Sequence, residues 1–167
     1  MGIVYRNAVE TDAEKIVAFY HRVGGETNYL GYADGEYSPD VKGQLQHIRN
    51  LDNKTNTMLL AVDGEEIVGI ATIASSHRIK IRHTGELGIV VAKKYHGQGI
   101  GTELIKRLVA WCAANGVTTK ISLVTRADNV SAVGLYLKLG FVVEGCLKNH
   151  TLIDGTYYDA YIMGLML

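Results

Sequence analysis

The hydrophobic pattern of the chain is strongest in residues 86–116, where a continuous apolar run gives way to a periodic one. Residues 87–92 are mostly apolar and rich in β-branched side chains, which is typical of a strand buried on both faces. After Gly101 the apolar positions are 104, 105, 108, 109 and 112, which is helical spacing, and Asn115-Gly116 is a stop signal. The pattern therefore predicts a strand, a glycine-rich turn and an amphipathic helix in succession.

The N-terminal part of the chain carries signals for a strand and two helices. Residues 3–6 are typical of a strand, and Thr11 and Glu14 have the spacing of a capping box that opens a helix. Gly24-Gly25 would end that helix. The segment 38–40, which holds the chain's single proline, indicates the start of a second helix.

A hairpin signal follows. Two apolar runs, residues 57–62 and 65–74, flank Asp63-Gly64, and this pair favours a type I′ turn. Gly69 within the second run indicates a bulge. Residues 79–82 are basic and would form an exposed turn between this hairpin and the central strand.

The second half of the chain continues with a strand and a helix. Residues 120–125 alternate as a strand does, and Asp128 or Asn129 would cap a helix that Gly140 ends. Gly134 inside this helix costs about 1 kcal/mol relative to alanine. We therefore expect close packing or close approach of a ligand at Gly134.

Residues 141–147 and 157–167 predict a final antiparallel pair of strands, separated by Asp154-Gly155. Strands in this order, with helices at the beginning and in the middle, favour an α/β sandwich around one mixed sheet. At 167 residues the chain is long enough for one domain, and we expect residues 1–167 to form it.

The composition narrows the partners. Hydrophobic residues make up 47% of the chain and charged residues 20%, and Lys plus Arg equals Asp plus Glu at 17 each. This neutral balance argues against nucleic acid as a partner. The N-terminus lacks the form of a signal peptide, and no apolar run approaches membrane-spanning length. We therefore expect a cytoplasmic protein that binds neither nucleic acid nor membrane.

The cysteines and histidines show no metal-site spacing. Cys112 and Cys146 are unpaired in sequence, and we expect core thiols at both positions rather than a disulfide. The histidines are expected to be solvated or hydrogen-bonded, so no metal is predicted.

Three glycines stand at every second position between the central strand and its helix: Gly97, Gly99 and Gly101. Glycine permits positive φ and close approach of a ligand, and a helix N-terminus presents unpaired N–H groups, so the turn predicts a pyrophosphate cradle. A P-loop would need Lys-Ser or Lys-Thr after its last glycine, where this chain has Thr102-Glu103. The dinucleotide fingerprint fails at Thr102 and Ile121.

The segment His96-Gly97-Gln98-Gly99-Ile100-Gly101 resembles the coenzyme A turn of the GNAT superfamily of N-acetyltransferases, with histidine where the family has Arg or Gln. About thirty residues downstream, a second segment resembles the family's other signature, with Asn129, Tyr136 and then Gly140-Phe141. The ending at residues 154–159 is similar to the branch of ribosomal-protein and polyamine acetyltransferases. The resemblance implies an α/β fold with a mixed, mostly antiparallel central sheet flanked by about four helices.

The resemblance also implies acetyl-CoA as cofactor and assigns residues to it. Tyr136 would protonate the leaving thiolate, the alternative being a core aromatic. Glu86 would take the proton of the amine, the alternative being a carboxylate satisfied by Arg82 or His83. The residues implied in binding the coenzyme are Ile89, Val90, Val91, His96, Gly97, Gln98, Gly99, Ile100, Gly101, Thr102, Asn129 and Tyr136.

The stretch from residue 26 to residue 40 holds three tyrosines and four carboxylates without a basic residue. It is either a solvated loop or a lid that borders the acceptor site and attracts a cationic amine. On the second interpretation Tyr29, Tyr32 and Glu36 would contact the substrate.

The function indicated is transfer of an acetyl group from acetyl-CoA to a primary amine by direct attack in a ternary complex. The acceptor would be a small cationic amine or a peptide N-terminus, and whether the protein forms a homodimer stays open. A non-catalytic acyl-CoA sensor is the alternative. A ping-pong acyltransferase using Cys146 or Cys112 is least favoured because neither has a histidine beside it.

Overall fold

The structure is a computed structural model, and it describes residues 2–27, 29–30, 36–37 and 39–167. In these ranges a single sheet of seven strands is combined with four α-helices. None of the described helices is long and apolar enough to span a membrane. In chain order the elements are β1 (Val4–Asn7), α1 (Ala13–Gly24), α2 (Val41–Asn50), β2 (Thr57–Asp63), β3 (Glu66–Ser75), β4 (Thr84–Val91), α3 (Ile100–Ala114), β5 (Lys120–Arg126), α4 (Val130–Lys138), β6 (Val142–Ile153) and β7 (Thr156–Met166).

The sheet has the strand order β1-β2-β3-β4-β5-β7-β6. All neighbours are antiparallel except β4 and β5, which run parallel. The predicted α/β fold with a mixed, mostly antiparallel sheet and four helices is confirmed.

Helices cover both faces of the central strands. A methyl group added to Gly69 of β3 would lie 3.1 Å from Leu104 and 3.4 Å from Ile100, so α3 packs closely on this face. Val68 and Ile70, whose side chains point the other way, are equally buried, and α1 contacts β3. The core therefore extends through the sheet, which explains why these strands are apolar at consecutive positions.

The capping box expected from Thr11 and Glu14 is wrong. The Asp12 carboxylate accepts the backbone N–H of Val9 at 2.8 Å and a bidentate pair of bonds from Arg6 at 2.7 and 2.8 Å. These bonds hold a 3-10 turn (Glu10–Asp12) directly before α1. Asp12 is therefore the carboxylate that is used, with one donor three residues before it and the other six residues before it on β1.

The type I′ turn expected at Asp63-Gly64 is also wrong. The loop between β2 and β3 is Gly64-Glu65, and in the described residues only Gly64 of the two has a positive φ, of 60°, which is the pattern of a type II′ turn. The type I′ pattern is found at the other hairpin, where Asp154 and Gly155 have φ of 47° and 78°. The bulge beside Gly69 is confirmed, because the register between β2 and β3 shifts there.

Two further expectations need correction. Cys112 is buried, but Cys146 on β6 is exposed and is therefore not a core thiol. At Gly134 an added methyl group would meet nothing within 4 Å, so close packing within the protein does not explain this glycine. Of the final pair, only β6 is longer than predicted, because it continues past an irregularity after Leu147 to reach Ile153.

Candidate active site

The central feature of the site is a gap between the parallel strands β4 and β5. These strands pair over only three positions, of which the last is Glu86 opposite Ser122. Beyond that point β4 stays paired with β3 as far as Val91, and β5 stays paired with β7 as far as Arg126. The sheet therefore splits along its middle, with one intact half on either side.

The backbone of β4 turns alternate hydrogen-bonding groups toward this gap. The N–H of Ala92 donates to the carbonyl of Val68 at 2.9 Å, which fixes the residues of β4 that face β3. Because the pattern alternates along an antiparallel pair, Val90 bonds to β3 while the N–H and C=O groups of Ile89 and Val91 point to the gap. Of the three predicted β4 residues, Val90 thus has its backbone groups already engaged in the sheet.

The glycine turn after β4 is open to solvent. Gly97 and Gly99 have φ of 75° and 78°, and a methyl group on either would meet nothing within 4 Å. Ile100, at 2% exposure, anchors the start of α3 in the core. In the described part of the chain, no acceptor bonds the backbone N–H groups of residues 97–102. They therefore form a set of free donors at a helix N-terminus, as an anion site requires.

Gly101 joins this set of donors to the gap. A methyl group added to it would lie 3.8 Å from the side chains of Ile89, Val91 and Leu135. The first turn of α3 thus meets both the free end of β4 and the helix α4. The anion cradle and the gap are contiguous, so one extended ligand can occupy both.

His96 reaches back to the gap from the turn. Its ring Nε2 lies 2.8 Å from the carbonyl oxygen of Val91. A carbonyl oxygen only accepts, so Nε2 carries the proton in this contact. A carbonyl also has a second lone pair, so Val91 can still accept a bond from a ligand.

Asn129 and Tyr136 are both on α4. The side chain of Asn129 accepts the N–H of Ala132 at 3.4 Å and so caps the helix, as the resemblance implied. Tyr136 is 8% exposed and packs on Phe141 with 5.8 Å between ring centroids. Burial raises the pKa of Tyr136 to about 12, so the phenol is neutral at physiological pH. Its hydroxyl has no hydrogen-bond partner in the described residues. The hydroxyl oxygen is not fully buried, so it keeps contact with solvent.

Glu86 lies at the point where β4 and β5 separate, and it is exposed. In the part of the chain that the structure describes, no hydrogen bond or ion pair joins Glu86 to Arg82, to His83 or to another residue. Side chains alternate along a strand, and Ile89 and Val91 face α3. Glu86 therefore projects from the opposite face of the sheet.

The predicted acceptor segment is only partly described. Tyr29 lies against Arg126, with the guanidinium carbon 4.9 Å from its ring centroid. Tyr37 stacks on Tyr20 at 4.4 Å and donates its hydroxyl proton to Gln44 at 2.7 Å, so it serves packing. Glu36 is exposed. Tyr32 and Asp34 lie outside the described residues.

Arg126 was missed by sequence reasoning. It ends β5 at 9% exposure, and its guanidinium bonds both carboxylate oxygens of Asp128 at 3.0 and 2.7 Å. The alternation of residues 120–125 extends to position 126, which was the one available signal. Nothing local in the sequence connects this arginine to Tyr29, almost a hundred residues earlier.

The described residues hold no cluster of His, Cys, Asp and Glu that could bind a metal ion. Burial raises the pKa of the Cys112 thiol to about 11, which keeps it protonated and unreactive at neutral pH. Cys146 is exposed on β6, whereas the gap lies between β4 and β5. Neither thiol is placed to act as a nucleophile at the gap.

Comparison with known proteins gives matches across the chain. The sequence profile of the "Acetyltransferase (GNAT) family" matches residues 26–141. An L-amino acid N-acetyltransferase of Escherichia coli K12 is 31% identical over 64% of this chain and 65% of its own length. A spermidine N(1)-acetyltransferase of the same strain is 27% identical over 67% of this chain and 59% of its own length. The chain thus spans less than two thirds of the length of each of these two relatives.

A solved structure matches more completely. The crystal structure of a GNAT-family acetyltransferase from Streptococcus pneumoniae superposes with a TM-score of 0.97 at 30% identity. The superposition covers 99% of this chain and 100% of the other.

The buried phenol of Tyr136 predicts a specific loss of stability in alkali. Between pH 10 and 12 the unfolded chain ionises this tyrosine while the native state keeps it neutral, so the free energy of unfolding falls as pH rises. The contribution is fully present below pH 10. Tyr136→Phe should make this decline shallower by up to about 1.4 kcal/mol per pH unit, measured by urea unfolding at several pH values.

Tyr37 offers a matched comparison for that measurement, because burial raises its pKa to about 12 as well. Tyr37→Phe should therefore flatten the same part of the profile. A decline that is identical in Tyr136→Phe and the wild type would contradict the assignment of a neutral, buried phenol.

Proposed function

Because the chain belongs to the GNAT family of acetyltransferases, we propose that it transfers an acetyl group from acetyl-CoA to a primary amine within a ternary complex. The observation that carries this proposal is the continuity of the open glycine turn with the gap between β4 and β5. An anion site and a strand-like slot in one line suit a ligand that has a diphosphate at one end and an extended amide arm at the other.

In this proposal the diphosphate of acetyl-CoA binds the free N–H groups of residues 97–102. The amide-containing arm lies in the gap as an additional strand and pairs with Ile89 and Val91. One of their N–H groups then faces the thioester oxygen and stabilises the negative charge that develops there. Asn129 supports the arm from α4 through the cap that it already provides.

His96 takes the place of the family's Arg or Gln in this arrangement. Its contact with the Val91 carbonyl holds the ring at the junction of cradle and gap. Backbone donors carry most of the phosphate binding, so histidine is compatible with a functional cradle. The ring then fixes the end of β4 where the arm enters.

The amine approaches from the face of the sheet that carries Glu86. A free alkylamine has a pKa near 10.4, so it must lose a proton before it can attack. An exposed carboxylate without a counter-ion in the described residues is suited to accept that proton, directly or through water. Tyr136 reaches the sulfur from the α3 and α4 side and stabilises the departing thiolate through its hydroxyl.

The charge of the acceptor face favours a cationic acceptor. Two basic residues of β5 are on this face, and both are already paired with carboxylates. Arg126 pairs with Asp128 at 2.7 Å, and Lys120 pairs with Glu144 at 2.8 Å. Among the residues that the structure describes, Glu86 is then left without a counter-ion. We therefore propose a small cationic amine or a peptide N-terminus as acceptor, in line with the amino-acid and spermidine acetyltransferases to which the chain is similar.

The test of this function is release of free thiol from acetyl-CoA in the presence of polyamines, amino acids, aminoglycosides and short peptides. At least one amine should be acetylated, with saturation by both substrates. Turnover should survive in a Cys112→Ala, Cys146→Ala double variant. Tight binding of acetyl-CoA without turnover on any amine would instead identify an acyl-CoA sensor.

Glu86→Gln tests the proposed base. We expect kcat/KM to fall by about 10²–10⁴-fold at pH 7, because general-base assistance is lost while shape is kept. The deficit should shrink as pH rises, because more of the amine is then neutral without help. Glu65→Gln on the exposed β2–β3 loop is the matched control and should leave the rate unchanged. Equal pH profiles for the wild type and Glu86→Gln would remove Glu86 from the mechanism.

Gly99→Ala tests the cradle, and Gly116→Ala controls for backbone strain. The two glycines have nearly the same φ, 78° and 77°, and neither has an atom within 4 Å of an added methyl group. Both variants should lose roughly 1–2 kcal/mol of stability, since alanine is strained in this conformation. Only Gly99→Ala should weaken binding of coenzyme A, as measured by calorimetry. A similar loss of affinity in both variants would count against the cradle.

A further inference from the structure

Arg126 is the centre of a cluster that we define by four residues: Tyr29, Arg126, Asp128 and Tyr158. The edge of the guanidinium bonds Asp128, through Nε at 3.0 Å and Nη2 at 2.7 Å. Its carbon lies 3.9 Å from the ring centroid of Tyr158 and 4.9 Å from that of Tyr29. A planar cation can satisfy a carboxylate with its edge and aromatic rings with its faces at once.

The cluster connects three parts of the chain that meet at the gap. Tyr29 belongs to the segment after α1, Tyr158 to β7, and Asp128 to the turn that leads into α4. Backbone bonds tie this turn down, from Ala127 N–H to the Asp159 carbonyl at 2.9 Å and from Asn129 N–H to the Arg126 carbonyl at 3.1 Å. The frame around Arg126 is therefore fixed, and Tyr29 is the member contributed by a loop.

The cluster lies on the same face of the sheet as Glu86. Glu86 is opposite Ser122, and side chains alternate along β5, so Ser122, Val124 and Arg126 share that face. Arg126 lies four positions further along β5 than Ser122, which is a rise of about 13 Å. Between them lies Val124, whose side chain is apolar and yet 48% exposed. Glu86 lies at one end of this stretch and Arg126, with the ring of Tyr29 against it, at the other. We call the exposed surface between them, formed by Ser122 and Val124, the floor; its length suits a small amine.

We propose that Arg126 is a positioning residue that holds Tyr29 at the end of this floor and thereby sets the affinity for the acceptor. The proposal rests on the proposed acetyltransferase function and assigns the outer boundary of its acceptor site. Arg126 does not touch the reacting atoms. Its effect passes through Tyr29, which closes the floor on the side away from Glu86.

The test compares Arg126→Met with Arg107→Met, a matched control on α3. Arg107 also lies over a tyrosine ring, that of Tyr5 at 4.8 Å, and also pairs with a carboxylate, Glu103 at 2.7 Å. Arg126→Met should raise the acceptor KM about threefold to thirtyfold while the acetyl-CoA KM and kcat change less than twofold. Arg107→Met should leave all three constants unchanged.

A second readout does not depend on activity. Hydrogen exchange at the amides of Tyr29 and Leu30 should become faster in Arg126→Met and in Tyr29→Ala, and stay as in the wild type in Arg107→Met. Tyr29→Phe keeps a ring on the guanidinium and should recover the protection that Tyr29→Ala loses. Because Tyr29 is exposed, its variants carry the test if Arg126→Met fails to fold.

The outcomes separate the two proposals. Unchanged exchange at Tyr29 and Leu30, or an equal rise in both KM values, would overturn the positioning role of Arg126. Absence of turnover on every amine by the wild-type protein would overturn the acetyltransferase function, while the exchange measurements would still decide whether Arg126 holds Tyr29.

Discussion

The structure depends on the place in the middle of the sheet where the hydrogen bonding between β4 and β5 stops. β4 and β5 each have a full-length antiparallel partner on the outer side, and they meet each other over only three residues. A buried backbone group without a partner is costly, so a strand edge inside a protein is stable only if solvent or a ligand satisfies it. The N–H and C=O of Ile89 and the N–H of Val91 are in this position, whereas the Val91 carbonyl already accepts a bond from His96 at 2.8 Å. The fold thus keeps an unfilled place for one more strand at its centre.

The glycine turn can serve as one end of a longer binding site because it lies next to the gap between β4 and β5. Free N–H groups at a helix N-terminus are common, but here the first turn of α3 meets the free end of β4 at Gly101. The start of the segment after α1 is tied to the residues that precede this turn, because the Glu26 carboxylate accepts the N–H of Lys93 at 2.8 Å. The connection between β4 and α3 therefore holds both the proposed anion cradle, at residues 97–102, and the anchor of the segment after α1, at Lys93.

Features with local causes could be predicted from the sequence, and features set by distant partners could not. Periodicity located the central strand and α3, and residue chemistry predicted the bulge beside Gly69 and a cap at Asp128 or Asn129, of which the structure uses Asn129. The Asp-Gly turn chemistry was valid but was realised at Asp154, because the bulged β2–β3 hairpin pairs with a different register. Arg126 took a role decided by Tyr29 and Tyr158, which only the folded chain brings near. Asp12 instead bonds near neighbours, Val9 and Arg6, which the capping-box spacing of Thr11 and Glu14 does not include. The split between β4 and β5 follows from strand pairing across the whole sheet, and the order of elements does not specify it.

The pKa of Tyr136 restricts the part it can take in the proposed reaction. A thiol has a pKa near 8.5, so a phenol with a pKa of about 12 would lose roughly 5 kcal/mol by giving its proton outright to the thiolate. It can still stabilise the sulfur by donating a hydrogen bond, or pass on a proton that is replaced at the same moment. The attacking nitrogen supplies such a proton, because an alkylammonium must lose two protons to become an amide. In the proposed reaction Glu86, on the acceptor face, accepts the first proton before attack. The second is released inside the gap, and our proposal has Tyr136 relay it to sulfur. A carboxylate on one face and a neutral phenol toward the other thus form a proton path that follows the direction of acetyl transfer.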